Sequence, residues 1–567
     1  MISTTKQAST LCRGSRARRA AIIALIGAAL ILIPHAADST ESAGFAALAA
    51  DETQAADSTA GPDGEPSASD LAIRKAREQS DEKRFDEAAA TLRAAHAADP
   101  GNTEILSWLA KIQSWGRRYD ESIATYRQLL ETSPGDARAR AGYARVLSWT
   151  GRYCESAREY RRAIAQDSRN LETRVGYARV LSWAGDLAGA SEEYFRILDA
   201  DSGNGDAWLG LASVSRWRRA ATAADEFVEK AAKRGGDPDG VREERDGVRL
   251  ALRPMAGLGW ARNHEEQHVT DSTKFELETV GGFIYGRATL DRAMDLDARL
   301  SQTHLWEKNS APATDTTLNY DLNGTAFRAD LSFLRKYPLQ IAGGISYARY
   351  ESRNERALFP LRADDDFFGF NVRAWGYYGR VTPSLSVRRD FVPIKEIDPS
   401  TGARTLVPGG AFDAELAATW DWNAHGSFRG AISNGLYTDD NDRSTISGKV
   451  AYRARLARPK VTLDYALRWS DFARASASYF TPLNSVRHAL GVSLAGYHEP
   501  AALDYGARYE FAYLKSSNFK DITTNSWALY GDIYLFDFIP IGAEGYYSID
   551  NNDYETWGLT LSAGARW

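Results

Sequence analysis

Apolar and polar residues alternate one for one along the last stretch of the chain, Thr556 to Trp567. Trp557, Leu559, Leu561, Ala563, Ala565 and Trp567 form one row; Gly558, Thr560, Ser562, Gly564 and Arg566 form the other. A period of two is that of a β-strand with one apolar and one wetted face. A water-soluble sandwich rarely needs tryptophan at both ends of the apolar row. A strand that crosses a membrane does, because its apolar row meets lipid and its aromatics sit at the two interfaces. The alternation recurs upstream. Val461, Leu463, Tyr465, Leu467 and Trp469 interleave with Thr462, Asp464, Ala466, Arg468 and Ser470. Tyr505, Ala507, Tyr509, Phe511 and Tyr513 interleave with Gly506, Arg508, Glu510 and Ala512, and Phe412, Leu416, Trp420 and Trp422 with Asp413, Glu415 and Asp421.

About sixteen such segments fit between Val248 and Trp567. Short connections are expected at Gly286-Arg287, Arg335 to Pro338, Gly379-Arg380, Asn423 to Gly426, Ala457 to Pro459, Glu499-Pro500 and Asp537 to Pro540. Between them fall long polar ones: Asn263 to Ser272, Glu307 to Thr314, Glu351 to Asp366, Pro393 to Ala411, Asp439 to Arg443, Arg474 to Ser485, Lys515 to Asn525 and Asp550 to Glu555. Unbroken alternation of short and long predicts an antiparallel transmembrane barrel with tight turns on one side and longer loops on the other. It places the preceding domain and the C-terminus on the short-turn side, the periplasm. Strand register is expected to break near Arg328.

Before the barrel the period changes. Trp115, Trp149, Trp183 and Trp217 are 34 residues apart, as are Ala110, Ala144, Ala178 and Ala212. Tyr126, Tyr160 and Tyr194 keep the step, and Phe85, Tyr119 and Tyr153 extend it one unit earlier. Pro100, Pro134, Ser168 and Ser202 fall at one position, where proline breaks a helix. Small residues at fixed positions let paired helices approach closely. The large residue near each unit start is Leu106 or Trp208 in some units, and Arg140 or Arg174 in others. The period predicts an α-solenoid over residues 70–235, with 236–248 as a linker and 249–567 as the barrel.

Residues 38–69 hold no Lys or Arg and are rich in Ala, Ser, Thr, Gly, Pro and acid, so a disordered acidic linker is expected. Ahead of it, Arg13, Arg16, Arg18 and Arg19 precede an apolar run from Ala20 to Ile33. Such a run reaches only about 21 Å as a helix and reads as a signal peptide over residues 1–37, not as a membrane span. Cys12 goes with that segment, leaving Cys154 without an intrachain partner. A formal net charge of -6 gives no support for a nucleic-acid partner. The mean hydropathy of -0.42 rules out a bundle of membrane helices but not a barrel, whose strands are half polar.

Candidate chemistry is sparse. His264-Glu265-Glu266-Gln267-His268 matches the zincin string, which requires both histidines on one helix face; here a solvated loop is expected. Asp439-Asp440-Asn441-Asp442 and Asp364-Asp365-Asp366 have the composition of calcium loops, and solvated charge is the default for them. No catalytic residue, metal or cofactor is expected. Inward barrel positions carry both signs: Glu276, Glu278, Asp295, Asp297, Arg299, Arg373, Arg388, Asp390, Asp413, Glu415, Lys449, Arg453, Asp464, Arg468, Arg508 and Glu510. They line a solute path or brace the wall as ion pairs. Alanine at Asp464 or Arg468 is expected to cost far less than arginine on the lipid face. Trp115, Trp149, Trp183 and Trp217, with Lys111, Arg145 and Arg179 one turn earlier, either stack sugar rings in a groove or pack the junctions between units.

The 34-residue units resemble tetratricopeptide repeats, and the final strand resembles the C-terminal assembly signal of bacterial outer-membrane barrels, with Trp567 as its aromatic terminus. The combination of signal peptide, repeats and barrel resembles the outer-membrane export porins for exopolysaccharides such as poly-N-acetylglucosamine and cellulose. The units Leu147 to Arg152 and Leu181 to Asp186, leading into Arg249-Leu-Ala-Leu-Arg-Pro254, look most like the YaiO-type barrel family. The fold class expected is therefore multi-domain, a tetratricopeptide solenoid followed by a barrel of about sixteen strands. The resemblance implies passage of a polysaccharide across the outer membrane, with lipid and the barrel assembly machinery as partners. The alternative is a scaffold whose repeats dock a periplasmic protein.

Overall fold

The computed structural model describes residues 67–567 apart from 219, 271–272, 292–293, 312–313, 335–338, 355, 362–364, 398–403, 457, 477–479, 499–500 and 537. The expected signal peptide and most of the expected acidic linker lie outside the described residues.

Eleven helices among the described residues come first: α1 (Ala68–Asp81), α2 (Phe85–Ala98), α3 (Thr103–Trp115), α4 (Tyr119–Thr132), α5 (Ala137–Trp149), α6 (Tyr153–Gln166), α7 (Leu171–Trp183), α8 (Leu187–Ala200), α9 (Gly205–Trp217), α10 (Ala221–Lys233) and α11 (Pro238–Leu252). Asn102, Asp136, Asn170 and Asn204 cap α3, α5, α7 and α9, each side-chain oxygen accepting from a backbone N–H of the first turn. Ala110, Ala144, Ala178 and Ala212 are fully buried where helices meet. Tyr126 and Tyr160 lie against the helix backbone at Gly142 and Gly176, where an added Cβ would stand 2.5 and 2.7 Å from the phenol oxygens. Glycine is therefore required there by close approach, at the cost of some helix propensity. None of the described helices is long and apolar enough to cross a membrane.

Arg140 and Arg174, which break the apolar pattern at the unit start, are satisfied from the next helix. Arg140 Nη1 donates to Glu159 Oε2 at 2.9 Å, and Arg174 Nη1 to Glu193 Oε2 at 3.2 Å. At the equivalent positions Trp208 packs on Phe227, ring centroids 5.6 Å apart. One contact is thus built either from two rings or from an ion pair.

Sixteen antiparallel strands follow in one closed barrel: β1 (Met255–Thr270), β2 (Thr273–Asp291), β3 (Met294–Ala311), β4 (Thr314–Leu334), β5 (Leu339–Ser352), β6 (Asp365–Gly376), β7 (Val381–Ile397), β8 (Arg404–Asp421), β9 (Gly426–Tyr437), β10 (Asp442–Arg455), β11 (Lys460–Phe472), β12 (Ser485–His498), β13 (Leu503–Lys515), β14 (Ile522–Leu535), β15 (Ile539–Asp550) and β16 (Tyr554–Arg566). Each strand pairs with the next. The terminal β16 closes the ring on β1 from Met255↔Arg566 to Gln267↔Tyr554. Leu258, Ile284, Ile345, Leu416, Ile432, Leu463, Leu467 and Leu490 form the exposed outer belt. Trp567 donates its backbone N–H to Pro254 O and leaves its ring exposed.

Four expected boundaries are corrected. Gly286-Arg287 is not a turn: β2 continues through it, and Arg287 pairs with Asp297 across the β2–β3 ladder. Asn263 to Ser272 and Glu307 to Thr314 are mostly strand, and β7 and β8 run far into Pro393 to Ala411. Pairing is continuous at Arg328, and the shift falls instead between Ser332 and Leu334. For the three polar runs that prove to be strand, the cause is a reversal of facing at the end of the barrel away from the solenoid. There the outward positions become polar, as in Arg262, His264 and Glu266 on β1, and Glu276 and Glu278 on β2. Glu276 and Glu278, expected in the lumen, share the face of Ile284 and point outward. The inward positions become apolar: Leu277, Leu305 and Tyr350 join buried Tyr320, Leu322 and Leu406 in a small core. β1 to β4, with 16, 19, 18 and 21 residues, carry this extension beyond the belt.

Candidate functional site: the barrel lumen and its two mouths

Apart from Glu276 and Glu278, strand alternation places the expected lumen residues opposite the exposed apolar rows, and most are held in ion pairs. Asp464 takes two bonds from Arg508, at 2.7 and 3.0 Å, and lies 3.2 Å from Lys449 Nζ. Arg508 and Arg487 converge on Glu510, at 2.7 and 2.6 Å. Asp413 is reached by Arg443 at 2.7 Å and Arg388 at 3.4 Å, and Arg388 also pairs with Asp390 at 3.1 Å. Glu415 binds Arg429 at 2.6 Å, Asp297 binds Arg287, and Asp295 accepts from Thr289 at 2.8 Å. Arg299 instead lies over the Phe283 ring, 3.7 Å from its centroid. Arg468 has no carboxylate partner among the described residues. The wall is thus polar but largely charge-compensated, and the pairs tie neighbouring strands together.

At the far mouth the β5–β6 connection folds inward. Phe359 N donates to Asn319 O at 2.6 Å and Leu406 N to Pro360 O at 3.2 Å. Phe359 and Leu361 pack on Tyr320, Leu322 and Leu406. This strap covers part of the opening from within.

The zincin string lies in β1, not in a loop. A strand advances about 3.3 Å per residue, so positions four apart are about 13 Å apart and cannot share one ion. His264 Nδ1 meets Glu278 at 2.7 Å, and Nε2 meets Glu266 at 3.3 Å. Ligand atoms of His264, Glu266 and Glu276 lie within 4.8 Å of one another. The Lys274 ammonium already bridges Glu266 and Glu276. Asn441, in the other acidic string, is buried and binds the backbone of Asp442 and Arg474, as a turn residue does. Of the Asp364 string, Asp366 accepts from Tyr347 at 2.6 Å.

In the solenoid three tryptophans are half-buried in unit junctions. Trp115 packs with Trp108 in the cluster that Phe85 also joins, Trp149 with Tyr119 (centroids 5.9 Å apart), and Trp183 on the cluster that Tyr153 also joins. Trp217 differs, with 41% of its surface exposed. Lys111 lies over Trp108, not Trp115. Arg145 pairs with Glu172 at 3.2 Å, and Arg179 lies by Tyr160 and Tyr194.

A contact that the sequence did not suggest joins solenoid to barrel. Asp186, 3% exposed, caps α8 through Gly189 N at 2.9 Å. It also receives Arg380 of the β6–β7 turn, Nη1 at 3.0 Å and Nη2 at 3.1 Å. Burial works against the Arg380 charge, but the Asp186 and Glu192 carboxylates outweigh it and raise its pKa. Arg218 stacks 4.3 Å from the centroid of Tyr377 in the same turn. His425 of the β8–β9 turn donates from Nδ1 to Arg453 O at 2.6 Å, leaving Nε2 to accept from Cys154 Sγ at 2.8 Å. The one available signal was Asp186 standing where earlier units have Arg118 and Arg152. Since α11 runs directly into β1, and β6 to β9 lie across the ring from β1, the last repeats span the solenoid-side mouth.

Residues 80–146 match the family model described as tetratricopeptide repeat. The solenoid is a tetratricopeptide domain. No curated protein matches the chain. Among solved structures the chain is similar to a bacterial polysaccharide outer membrane secretin, with TM-score 0.38 and 11% identity over 55% of this chain and 98% of that one. It is also similar to MamA, with TM-score 0.26 and 18% identity over 28% and 94% of the two chains. YrrB, described as a TPR protein with an unusual peptide-binding site, has TM-score 0.26 and 16% identity over 31% and 92%. The tetratricopeptide domain and the outer-membrane-type barrel occur here in one chain, joined by the Asp186–Arg380 contact.

Proposed function

We propose that the protein is an outer-membrane conduit for an exopolysaccharide, with the tetratricopeptide domain in the periplasm. The observation that carries this reading is a closed sixteen-strand barrel with a polar inner wall, whose mouth is spanned by the chain's own solenoid. Barrels of this size leave an aqueous lumen unless something fills it. A solenoid across the mouth meets whatever enters from the periplasm. The likeness of the whole architecture to exopolysaccharide export porins, and of its repeat units to the YaiO-type family, supports the same direction. Lipid and the barrel assembly machinery are the partners such a barrel requires. No catalytic role is proposed.

The paired lumenal charges and the inward strap favour a second reading, in which the barrel is a filled anchor and the repeats dock a periplasmic protein. Conductance of the full-length protein in planar bilayers separates the two. The conduit reading expects discrete ion-conducting events, larger when residues 353–361 are replaced by a short Gly-Ser turn. A silent membrane with both proteins fully inserted contradicts it.

A further inference from the structure

Four tryptophans occupy one repeat position, but their surroundings differ. Trp149 packs on Tyr119, an aromatic residue 30 positions earlier, and Trp115 and Trp183 lie against the same apolar clusters as Phe85 and Tyr153 at the corresponding positions. For Trp217 the corresponding residue is Leu187, and the indole stays 41% exposed. An exposed indole at the end of a helix forfeits much of the burial that would justify so large a side chain. Its place in the fold is also distinct. The next residue, Arg218, is stacked on Tyr377 of the β6–β7 turn, and the adjacent Tyr378 is 55% exposed. Asp186 holds Arg380 of that turn, so these rings are carried on a fixed part of the barrel mouth.

We propose that Trp217, with Arg218 and the Tyr377–Tyr378 turn, forms a saccharide-stacking subsite where the tetratricopeptide domain meets the barrel. The ligand class is a β-linked polymer whose sugar rings present flat C–H faces. Such a face packs on the exposed Trp217 and Tyr378 rings, and the phenol hydroxyl donates to sugar hydroxyls, while the Arg218–Tyr377 stack holds the turn in place. Stacking of this kind holds a passing chain without reading its sequence, which suits a site at the entrance to a conduit. The other three tryptophans serve the solenoid's own packing. The inference rests on the conduit reading and deepens it by naming the contact at the entrance.

The test uses the full-length protein in planar bilayers, with cellohexaose and chitohexaose added on the solenoid side. The wild-type channel is expected to show transient blocking events. Trp217→Ala should shorten the block at least tenfold, and Trp217→Phe, which keeps a ring, should restore most of it. The melting temperature of Trp217→Ala should match wild type, since the ring is not packed as its three counterparts are. Unchanged blocking in Trp217→Ala overturns the subsite and leaves the conduit standing. A conducting wild-type channel that neither sugar blocks overturns the subsite and the polysaccharide assignment. A wild type that does not conduct overturns the conduit as well.

Discussion

Arg140 and Glu159 stand where Trp208 and Phe227 make a ring contact two units later, so one position has been filled in two chemically opposite ways. Both side chains of the ion pair are nearly buried, at 13% and 12% exposure. Desolvation at such a site offsets most of the attraction, and removing one partner strands the other. Glu159→Ala should therefore be destabilising by up to about 3 kcal/mol, the low end for a broken buried pair, because Arg140 keeps Pro134 O and Gln166 Oε1 as acceptors. The double change Arg140→Leu with Glu159→Leu should be neutral or stabilising. Thermal melts followed by far-UV circular dichroism check this ranking, and a double variant less stable than the single one contradicts it. The pair was legible in the sequence only by halves. Arg140 and Arg174 showed as breaks in the apolar pattern, but their partners lie 19 residues on, in a different helix, where no local period points.

At the scale of the element, strand alternation was readable wherever one face meets lipid. Leu463 and Leu467 are exposed at 46% and 41%, and Asp464 lies inward at 7%. The reading failed at the ends of β1 to β4, because alternation reports a difference between two faces and not which face is outside. Past the apolar belt the outer face meets water and the inner face meets the Phe359–Leu361 strap, so the polar runs taken for loops are strands with their facing reversed. The expectation that Asp464→Ala is mild also changes. Asp464 carries Arg508 and Lys449, and its loss leaves Lys449 without its carboxylate and Arg508 with Glu510 alone. In a refolding titration, Leu467→Arg should cost about 2–4 kcal/mol, as arginine on a lipid face near the midplane does. Asp464→Ala should cost about 3–5 kcal/mol, the range for breaking a buried pair. Arg468→Ala should fall below about 1 kcal/mol, as changes away from packed or paired features do. A mild Asp464→Ala beside a severe Arg468→Ala would show that the wall is braced elsewhere.

At the scale of the molecule, both domains were legible from their periods, 34 and two, while the way they are joined was not. Docking depends on single residues: Asp186 in a helix cap, whose departure from Arg118 and Arg152 names no partner, Arg380 and Tyr377 in a barrel turn, and Cys154 facing His425. The Asp186–Arg380 pair should hold the solenoid across the mouth, since its carboxylate is almost fully buried and its guanidinium half-buried. Asp186→Ala leaves that guanidinium without its main partner and also uncaps α8, so the contact should weaken by roughly 3–5 kcal/mol. Cys154 reports on it directly. Cys154 stays exposed beside His425, but partial desolvation raises its thiol pKa, with Arg158 opposing and Glu155 adding to this. A thiol reacts as its thiolate, so docking should slow its modification. Undocking should bring the pKa down towards about 8.5, the ordinary value for cysteine, and increase the thiolate fraction near neutral pH. In a Cys12→Ser background, maleimide labelling of Cys154 should therefore speed up several-fold in Asp186→Ala and in Arg380→Ala. The exchange of charges, Asp186→Arg with Arg380→Asp, should recover part of the protection if the pair itself holds the domains. Equal labelling rates in all four proteins would mean that the solenoid is held by other contacts, and that the pair only caps its helix.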